Sequence, residues 1–184
     1  MTIATMPNIT TGITPEPRSC LRVHIVLATL SACGLAALSW ASFVRPAVHV
    51  VYNPSDSVPV GWYRIEPADS PPRTLSVGSI VLARLPADVA AFAAQRDYLP
   101  AHIPLLKRVG AVAPQHVCTV DRELRIDGVP VAALLSTDRM GRPLPSWQQC
   151  RPLTDGELFL LSGTNPASFD SRYFGPIEVS AVIG

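Results

Sequence analysis

The chain has 184 residues, of which 48% are hydrophobic and only 16% are charged. This composition is too apolar for an ordinary soluble domain, and its 19 prolines argue against a helical bundle. The formal net charge is +1, and Lys and Arg form no clusters that could neutralise phosphates, so we expect no nucleic-acid partner.

The first part of the chain contains an apolar segment long enough to cross a membrane. Residues 25–44 carry no charge, and about 20 helical residues span the roughly 30 Å of hydrocarbon in a bilayer. Arg18 and Arg22 precede the segment and Arg45 follows it, so the positive-inside bias favours a cytoplasmic N terminus. A cleavable signal peptide is the alternative, but the run is longer than a usual hydrophobic region and follows about twenty largely polar residues. We therefore predict an uncleaved anchor that crosses the membrane once.

Three regions follow from this interpretation. Residues 1–20 are rich in Thr and Pro and lack an apolar period, which indicates a disordered cytoplasmic tail. Residues 21–45 are the predicted transmembrane anchor. Residues 46–184 are the predicted exported domain.

The exported domain has the pattern of an antiparallel β protein. Short β-branched runs alternate with Pro, Gly, Asn and Asp, and turn signals recur about every ten residues. The runs are "AVHVVY", "GWYRIE", "GSIVLARL", "LLKRVGAV", "HVCTVD", "ELRIDGVPV", "ELFLLSG" and "VSAVIG". Asp127-Gly128 separates two apolar runs and is typical of a hairpin, while "PADVAAFAAQRDYL" is a helix candidate that begins at Pro86. We predict a mainly β fold with one or two short helices behind a single transmembrane helix.

The cysteines indicate a disulfide rather than a metal site. Cys118 and Cys150 lie in the exported part, where an oxidising compartment permits a bridge, and we predict that they pair. Cys20 and Cys33 lie before and inside the apolar segment. No CxxC or HxxxH spacing occurs and the four histidines are scattered, so we expect neither a metal nor a cofactor.

One basic residue stands apart from the others. Lys107 is the only lysine, and the other fourteen of the fifteen basic residues are arginine. In a strand, Lys107 shares a face with Leu105 and Val109. If that face points inward, the pKa of the amine falls, and a neutral lysine can act as a general base where arginine cannot. A lysine that reaches out from an edge strand is the alternative.

Two loops carry the remaining polar candidates. The first, "NPSDSVPVGWY", contains Ser55 and Ser57 between prolines and a glycine, and alone it is typical of a polar turn. The second, "SGTNPASFDSRYFGPI", contains Ser168, Asp170 and Arg172. In an extended segment Asp170 and Arg172 would share a face and could pair, which favours a structural role, while Ser168 could orient a nearby amine.

In combination, these motifs resemble the type I signal peptidases, a family of Ser/Lys proteases. The shared order is Ser-x-Pro, then Lys-Arg-Val on a strand, then Ser-x-Asp-Ser-Arg-x-x-Gly. "GSIVLARL" also matches the family's Gly-Asp-hydrophobic strand, with Ser79 in place of the acid, and Thr164 stands where the Gly-Asp-Asn box has its acid. The likeness is greatest to the compact TraF-type branch, the conjugative-transfer peptidases that mature pilin subunits.

The resemblance implies a role for each candidate. Ser57 matches the nucleophile and Lys107 its general base. Ser55 matches the residue whose hydroxyl helps to bind the oxyanion, with the Ser57 backbone N–H as the other donor. Ser168 matches the serine that orients the lysine amine. Asp170 and Arg172 match the supporting pair.

The function implied is a serine endopeptidase of the bacterial inner membrane, with a cytoplasmic N terminus and a periplasmic catalytic domain. It would process, and in the TraF likeness cyclise, a pilin precursor, with other conjugation proteins as further partners. Alternatives are a housekeeping signal peptidase for secreted preproteins and a non-catalytic scaffold of a transfer channel. A Ser-His-Asp triad with His102 or His116 is a further alternative, but the chain lacks a Gly-x-Ser-x-Gly elbow.

Overall fold

The structure is a computed structural model that describes residues 17–43, 49–68 and 75–184. The chain divides into two units, Met1–Ala47 and Val48–Gly184. The first contains helix α1 (Pro17–Phe43). Within it Leu21–Ser42 has a mean hydropathy of 1.8 and is long and apolar enough to cross a membrane, a property that a signal sequence near the N terminus shares. The predicted tail lies outside the described residues as far as residue 16.

The second unit contains ten strands and two α-helices within its described residues. They are β1 (His49–Asn53), β2 (Gly61–Ile65), β3 (Ile80–Ala83), α2 (Ala87–Gln95), β4 (Leu105–Val112), β5 (His116–Val120), β6 (Glu123–Ile126), β7 (Val129–Ala133), β8 (Cys150–Pro152), β9 (Glu157–Leu161), α3 (Ser171–Phe174) and β10 (Ile177–Glu178). All named strand pairs are antiparallel. The predicted mainly β fold with short helices is confirmed.

Strands β1 and β2 form a two-stranded ribbon that carries the first polar loop. The pairing runs from His49 opposite Ile65 to Asn53 opposite Gly61. Residues 54–60, which include both loop serines, therefore connect the two strands. Val58 and Ile65 are buried against Leu82 and Leu106, and this apolar contact fixes the ribbon on the neighbouring sheet.

The four-stranded sheet that receives the ribbon has the order β10-β9-β4-β3. Lys107 in β4 lies opposite Val81 in β3. The register of β4 against β9 shifts between Val109 and Ala111. Position 110 at this bulge has little room for a side chain, because a Cβ there would lie 2.6 Å from a methyl carbon of Leu161. Lys107 thus occupies an inner strand, which contradicts the edge-strand alternative.

A second four-stranded sheet has the order β7-β6-β5-β8. Asp127 and Gly128, with φ of 50° and 81°, form the β6–β7 hairpin turn that the sequence predicts. Cys118 of β5 lies opposite Cys150 of β8, and a disulfide joins them, as the sequence predicts. Strand β9 connects the cores, since Leu158 and Leu160 pack in one cluster and Phe159 in the other.

Three details of the predicted strand pattern differ from the structure. "VSAVIG" contains a 3₁₀ turn, Val179–Ala181, and only an isolated bridge joins Val182 to Ala83. The apolar residues of this segment complete the core without continuing a strand, since Val182 is buried there. The short strands β8 and β10 were missed because strands of three and two residues are too short for an alternating pattern to reveal.

Candidate active site

A buried asparagine organises the loop that carries Ser57. The side-chain amide of Asn53 donates to the carbonyl oxygens of Ser55, Val58 and Pro59 at 2.7, 3.0 and 3.2 Å. Its oxygen accepts from the Ser55 N–H at 3.2 Å and from the Ser55 hydroxyl at 2.9 Å. One side chain thus satisfies backbone groups on both sides of Ser57, which leaves the Ser57 Oγ 3.0 Å from the Ser55 Oγ.

The loop after β9 holds this serine loop through its backbone. Ser162 Oγ donates to the Ser57 carbonyl oxygen at 2.9 Å, and the Thr164 hydroxyl donates to the Asp56 carbonyl oxygen. Asn165 Nδ2 donates to Asp56 Oδ1 at 2.6 Å. These contacts join residues more than 100 positions apart, so they fix the serine loop against the loop that carries Ser168.

Lys107 is buried, with 3% of its surface exposed. Burial lowers the pKa of its amine from 10.5 to about 8; the negative charges of Asp170 and Asp56 oppose the shift and the Arg172 charge adds to it. Nζ donates a hydrogen bond to Ser168 Oγ. Among the described residues, no direct hydrogen bond joins Nζ to Ser57, but both residues line one cavity.

Asp170 and Arg172 form a buried bidentate pair. Their exposed fractions are 0% and 2%, and the guanidinium donates Nε to Oδ1 at 2.8 Å and Nη2 to Oδ2 at 2.9 Å. Arg172 also donates to the carbonyl oxygens of Ala133, Pro166 and Ser168 at 2.8–2.9 Å. The pair therefore fixes the backbone on which Ser168 stands.

Asp170 and Arg172 pair at the start of a helix, whereas the expectation from the sequence was a pair within an extended segment. Asp170 is the N-cap of α3, and its Oδ1 accepts from the Arg172 backbone N–H at 3.2 Å. Its Oδ2 also accepts from the Ser162 N–H at 3.1 Å. One carboxylate thus connects the helix start, the buried arginine and the residue that holds the Ser57 carbonyl.

The cavity at this site has a volume of about 690 Å³. Ser57, Lys107 and Ser168 lie in its wall together with apolar side chains such as Leu105, Tyr98 and Phe169. An apolar groove with a few convergent polar groups is typical of a substrate site. At a distance from the serine, Asp138 accepts from Tyr98 at 2.6 Å and from Arg142 at 2.6 Å, and these groups close that part of the wall.

The two histidines of the alternative triad lie elsewhere. Neither His102 nor His116 is among the described residues that line the cavity, and both are exposed. His116 does lie near Cys118 and Cys150, with donor atoms within 4.8 Å of one another. Both sulfurs are used in the disulfide, so they offer no thiolate to a metal.

Sequence reasoning missed four polar residues of the site. Asn53, Asp56, Ser162 and Asn165 all contact or organise the serine loop. Asn53 precedes a proline, a context that favours side-chain to backbone turns, so that signal was available. The other three are recognised only from contacts between distant loops.

The chain is similar in sequence to known proteins. The family described as "Signal peptidase, peptidase S26" matches residues 22–184. A plasmid transfer protein TraF of Escherichia coli is 32% identical over 169 residues, which cover 86% of this chain and 88% of the relative. A probable conjugal transfer protein TraF of Sinorhizobium fredii is 32% identical over 89% of this chain and 86% of its own. A conjugal transfer protein TraF of Agrobacterium fabrum is 36% identical over 72% and 77%.

Proposed function

Since the chain belongs to the signal peptidase family S26, we propose that it is a membrane-anchored serine endopeptidase in which Ser57 is the nucleophile and Lys107 the general base. The observation that carries this proposal is the buried Lys107 amine in the same cavity wall as Ser57. Its lowered pKa makes a substantial neutral fraction available near pH 8.

The proposed chemistry is acyl transfer through a covalent intermediate. The neutral Lys107 amine removes the proton of Ser57 as Oγ attacks the peptide carbonyl, and it then gives that proton to the leaving amine. Ser168 holds the amine by its hydrogen bond, and the Asp170–Arg172 pair holds Ser168. Water, or an amine in its place, then attacks the acyl-enzyme.

The oxyanion would be bound beside the nucleophile. The Ser55 hydroxyl and the Ser57 backbone N–H are the proposed donors, since Asn53 fixes this turn from both sides. Loss of one such donor typically lowers the rate by about 10²–10³-fold. The shift of the Ser55 proton from Asn53 Oδ1 to the oxyanion would accompany the attack.

The relatives carry plasmid-transfer and conjugal-transfer names. We therefore propose that the substrate is a pilin precursor inserted in the same membrane, that the product is cut and cyclised, and that other conjugation proteins are partners. The proposed topology has residues 1–20 in the cytoplasm, residues 21–45 across the inner membrane and residues 46–184 in the periplasm. The apolar helix α1 supports a membrane-associated enzyme.

Processing of the precursor by variants tests the proposal. Ser57→Ala and Lys107→Arg in the full chain, reconstituted in lipid vesicles with the precursor, are expected to lower the rate by about 10³-fold or more. Ser180→Ala, an exposed serine, and Arg108→Lys, the neighbouring basic residue, are matched controls that we expect to retain activity.

Normal processing by Ser57→Ala or Lys107→Arg would exclude the protease and favour the scaffold. Cleavage of many secreted preproteins, with loss of bulk secretion when the gene is deleted, would instead indicate the housekeeping peptidase. A mating defect with intact secretion is the result expected for pilin maturation.

A further inference from the structure

Asp56 lies between the two loop serines, Ser55 and Ser57, and only one of its two carboxylate oxygens accepts a hydrogen bond from the described residues. Asn165 Nδ2 donates to Asp56 Oδ1 at 2.6 Å. The second carboxylate oxygen, Oδ2, accepts no hydrogen bond from the described residues. Asp56 is exposed, yet it lines the same cavity as Ser57 and Lys107. The structure thus presents one oriented, open carboxylate oxygen beside the nucleophile.

The loop does not need the negative charge of Asp56 to keep its conformation. Thr164 binds the Asp56 backbone carbonyl and Ser162 binds the Ser57 backbone carbonyl, so the backbone is fixed by groups other than the carboxylate. An asparagine at position 56 could accept the same hydrogen bond from Asn165. The negative charge itself has no structural partner of opposite charge among the described side chains: every ion pair that those side chains form joins other residues.

Some charged groups of the cavity are already paired, since Arg96 and Arg142 both contact Asp138. Asp97 and Arg139 also line the cavity, and neither belongs to an ion pair among the described residues. Asp56 differs from Asp97 because it directly precedes Ser57 in the chain, so it is the open carboxylate that adjoins the proposed nucleophile.

We propose that Asp56 receives the ammonium group of the amine that takes the acyl group from Ser57. This inference rests on the proposed function, because it needs a Ser57 acyl-enzyme. The chemical class of the ligand is a primary ammonium, such as the N terminus of the substrate chain. Asp56 would thereby favour transfer to an amine over hydrolysis.

The step balances with groups at the site. The bound ammonium releases one proton to solvent and becomes a neutral amine. Its nitrogen attacks the ester carbonyl, a C–N bond forms, and the bond from the carbonyl carbon to Ser57 Oγ breaks. Lys107 accepts the second proton from the attacking nitrogen and delivers it to Ser57 Oγ. The products are an amide and the free enzyme.

By microscopic reversibility, an acceptor amine approaches the acyl carbon along the path by which the leaving amine departs. Asp56 lies next to the nucleophile in the chain and its charge acts on Lys107, the group that exchanges protons with both amines. A small acceptor amine can therefore test the role of Asp56 without knowledge of the natural substrate.

The test uses the full-length enzyme in detergent with an acetylated tripeptide ester that ends in alanine. Products of transfer to glycinamide and to water are separated by mass spectrometry, for the wild type and for Asp56→Asn. We expect Asp56→Asn to lower the ratio of amide to acid about fivefold, the size of an exposed ion pair's contribution. Any fall in the rate of ester consumption is expected to be smaller than this.

Two controls make the result specific to charge. Hydroxylamine is uncharged at neutral pH, so its transfer ratio should not change in Asp56→Asn. Asp88→Asn alters the net charge equally on an exposed residue outside the cavity, and its ratios should equal those of the wild type.

Each failure has a separate signature. An unchanged glycinamide ratio in Asp56→Asn, an equal fall with hydroxylamine, or an absence of transfer by the wild type would overturn the inference while the protease proposal stands. If the ratio stays constant but Asp56→Asn slows only esters with a basic side chain, the charge serves substrate recognition instead. If the enzyme shows no ester turnover that depends on Ser57, both the proposed function and this inference are overturned.

Discussion

The two four-stranded sheets of the second unit differ in the kinds of residue that they bury. The sheet β10-β9-β4-β3 and its α3 loop bury Lys107, Asp170 and Arg172, each no more than 3% exposed. The sheet β7-β6-β5-β8 packs apolar residues inward and holds the charged pair of Glu123 and Arg125 at its surface, with 41% and 46% of the side chains exposed. It also carries the disulfide.

This difference suggests separate roles: the first sheet supports the candidate site, and the second mainly supports the stability of the fold. Buried charges cost several kcal/mol of desolvation each and are rarely retained for stability alone. They lie in the sheet that forms the candidate site, whereas the second sheet contains a covalent link and an apolar cluster. We therefore expect changes in the first sheet to act on both folding and activity, and changes in the second to act on folding.

Arg172→Met should give the largest loss of stability, because it leaves the Asp170 carboxylate buried without its partner. The expected cost is about 3–5 kcal/mol in the free energy of unfolding, measured by denaturant titration of the full chain in detergent. Arg125→Met, which breaks an exposed pair, is the matched control and should cost about 1 kcal/mol or less. The double variant Asp170→Asn/Arg172→Met should recover part of the loss, and a cost for Arg172→Met no greater than the control's would contradict the comparison.

The Cys118→Ser/Cys150→Ser double variant should cost about 3–4 kcal/mol, the chain-entropy value for a disulfide that closes a loop of this length. Precursor processing should persist at temperatures where the variant is folded, because neither sulfur reaches the candidate site. Thiol reduction of the wild type should reproduce the loss. If processing is abolished while the circular dichroism spectrum remains native, the separation of roles is wrong.

Lys107 should make stability depend on pH in the alkaline range. Its pKa is about 8 in the folded protein, against the ordinary value of 10.5 for a lysine in an unfolded chain, so the unfolded state binds more protons between these values. Stability should therefore rise from about pH 8 to pH 10.5 by about 3 kcal/mol, and Lys107→Met should lose this rise. The rate of processing should also increase through about pH 8 as the amine becomes neutral, and a pH-independent rate across that range would exclude the proposed base.

Glu157→Gln should have the smallest effect. Arg151 of β8 donates two hydrogen bonds of 2.7 Å to Glu157 of β9, a partly exposed pair worth about 0.5–1 kcal/mol. The hydrogen bonds from Arg151 lower the pKa of Glu157 to about 2, so this contribution is present above about pH 4.5 and is lost as the pH falls toward 2. Unfolding at pH 7 should distinguish the variant from the wild type, and unfolding at pH 2 should not.

The sequence was most informative where a local pattern decides the outcome. Period-two alternation predicted that Lys107 shares a face with Leu105 and Val109, and the strand buries all three. The Asp127-Gly128 turn was predicted for the same reason. The four-residue helix α3 was not foreseen, because one turn is too short to show a helical period. The Asp56–Asn165 contact joins residues 109 positions apart, and no local pattern encodes it.

The hydrogen bonds of the serine loop also bear on the order in which the parts of the candidate site form during folding. Every hydrogen bond from the Asn53 amide reaches a residue within six positions, so this part of the turn around Ser57 is held within its own segment. Lys107 and Ser168 are 61 positions apart, and they lie on segments that the pairing of β4 with β9 brings together. Closure of such distant contacts is entropically costly and comes with the completed fold. We therefore expect a nascent chain to contain the Ser57 turn before the candidate site is complete, and proteolysis to begin only when folding has finished.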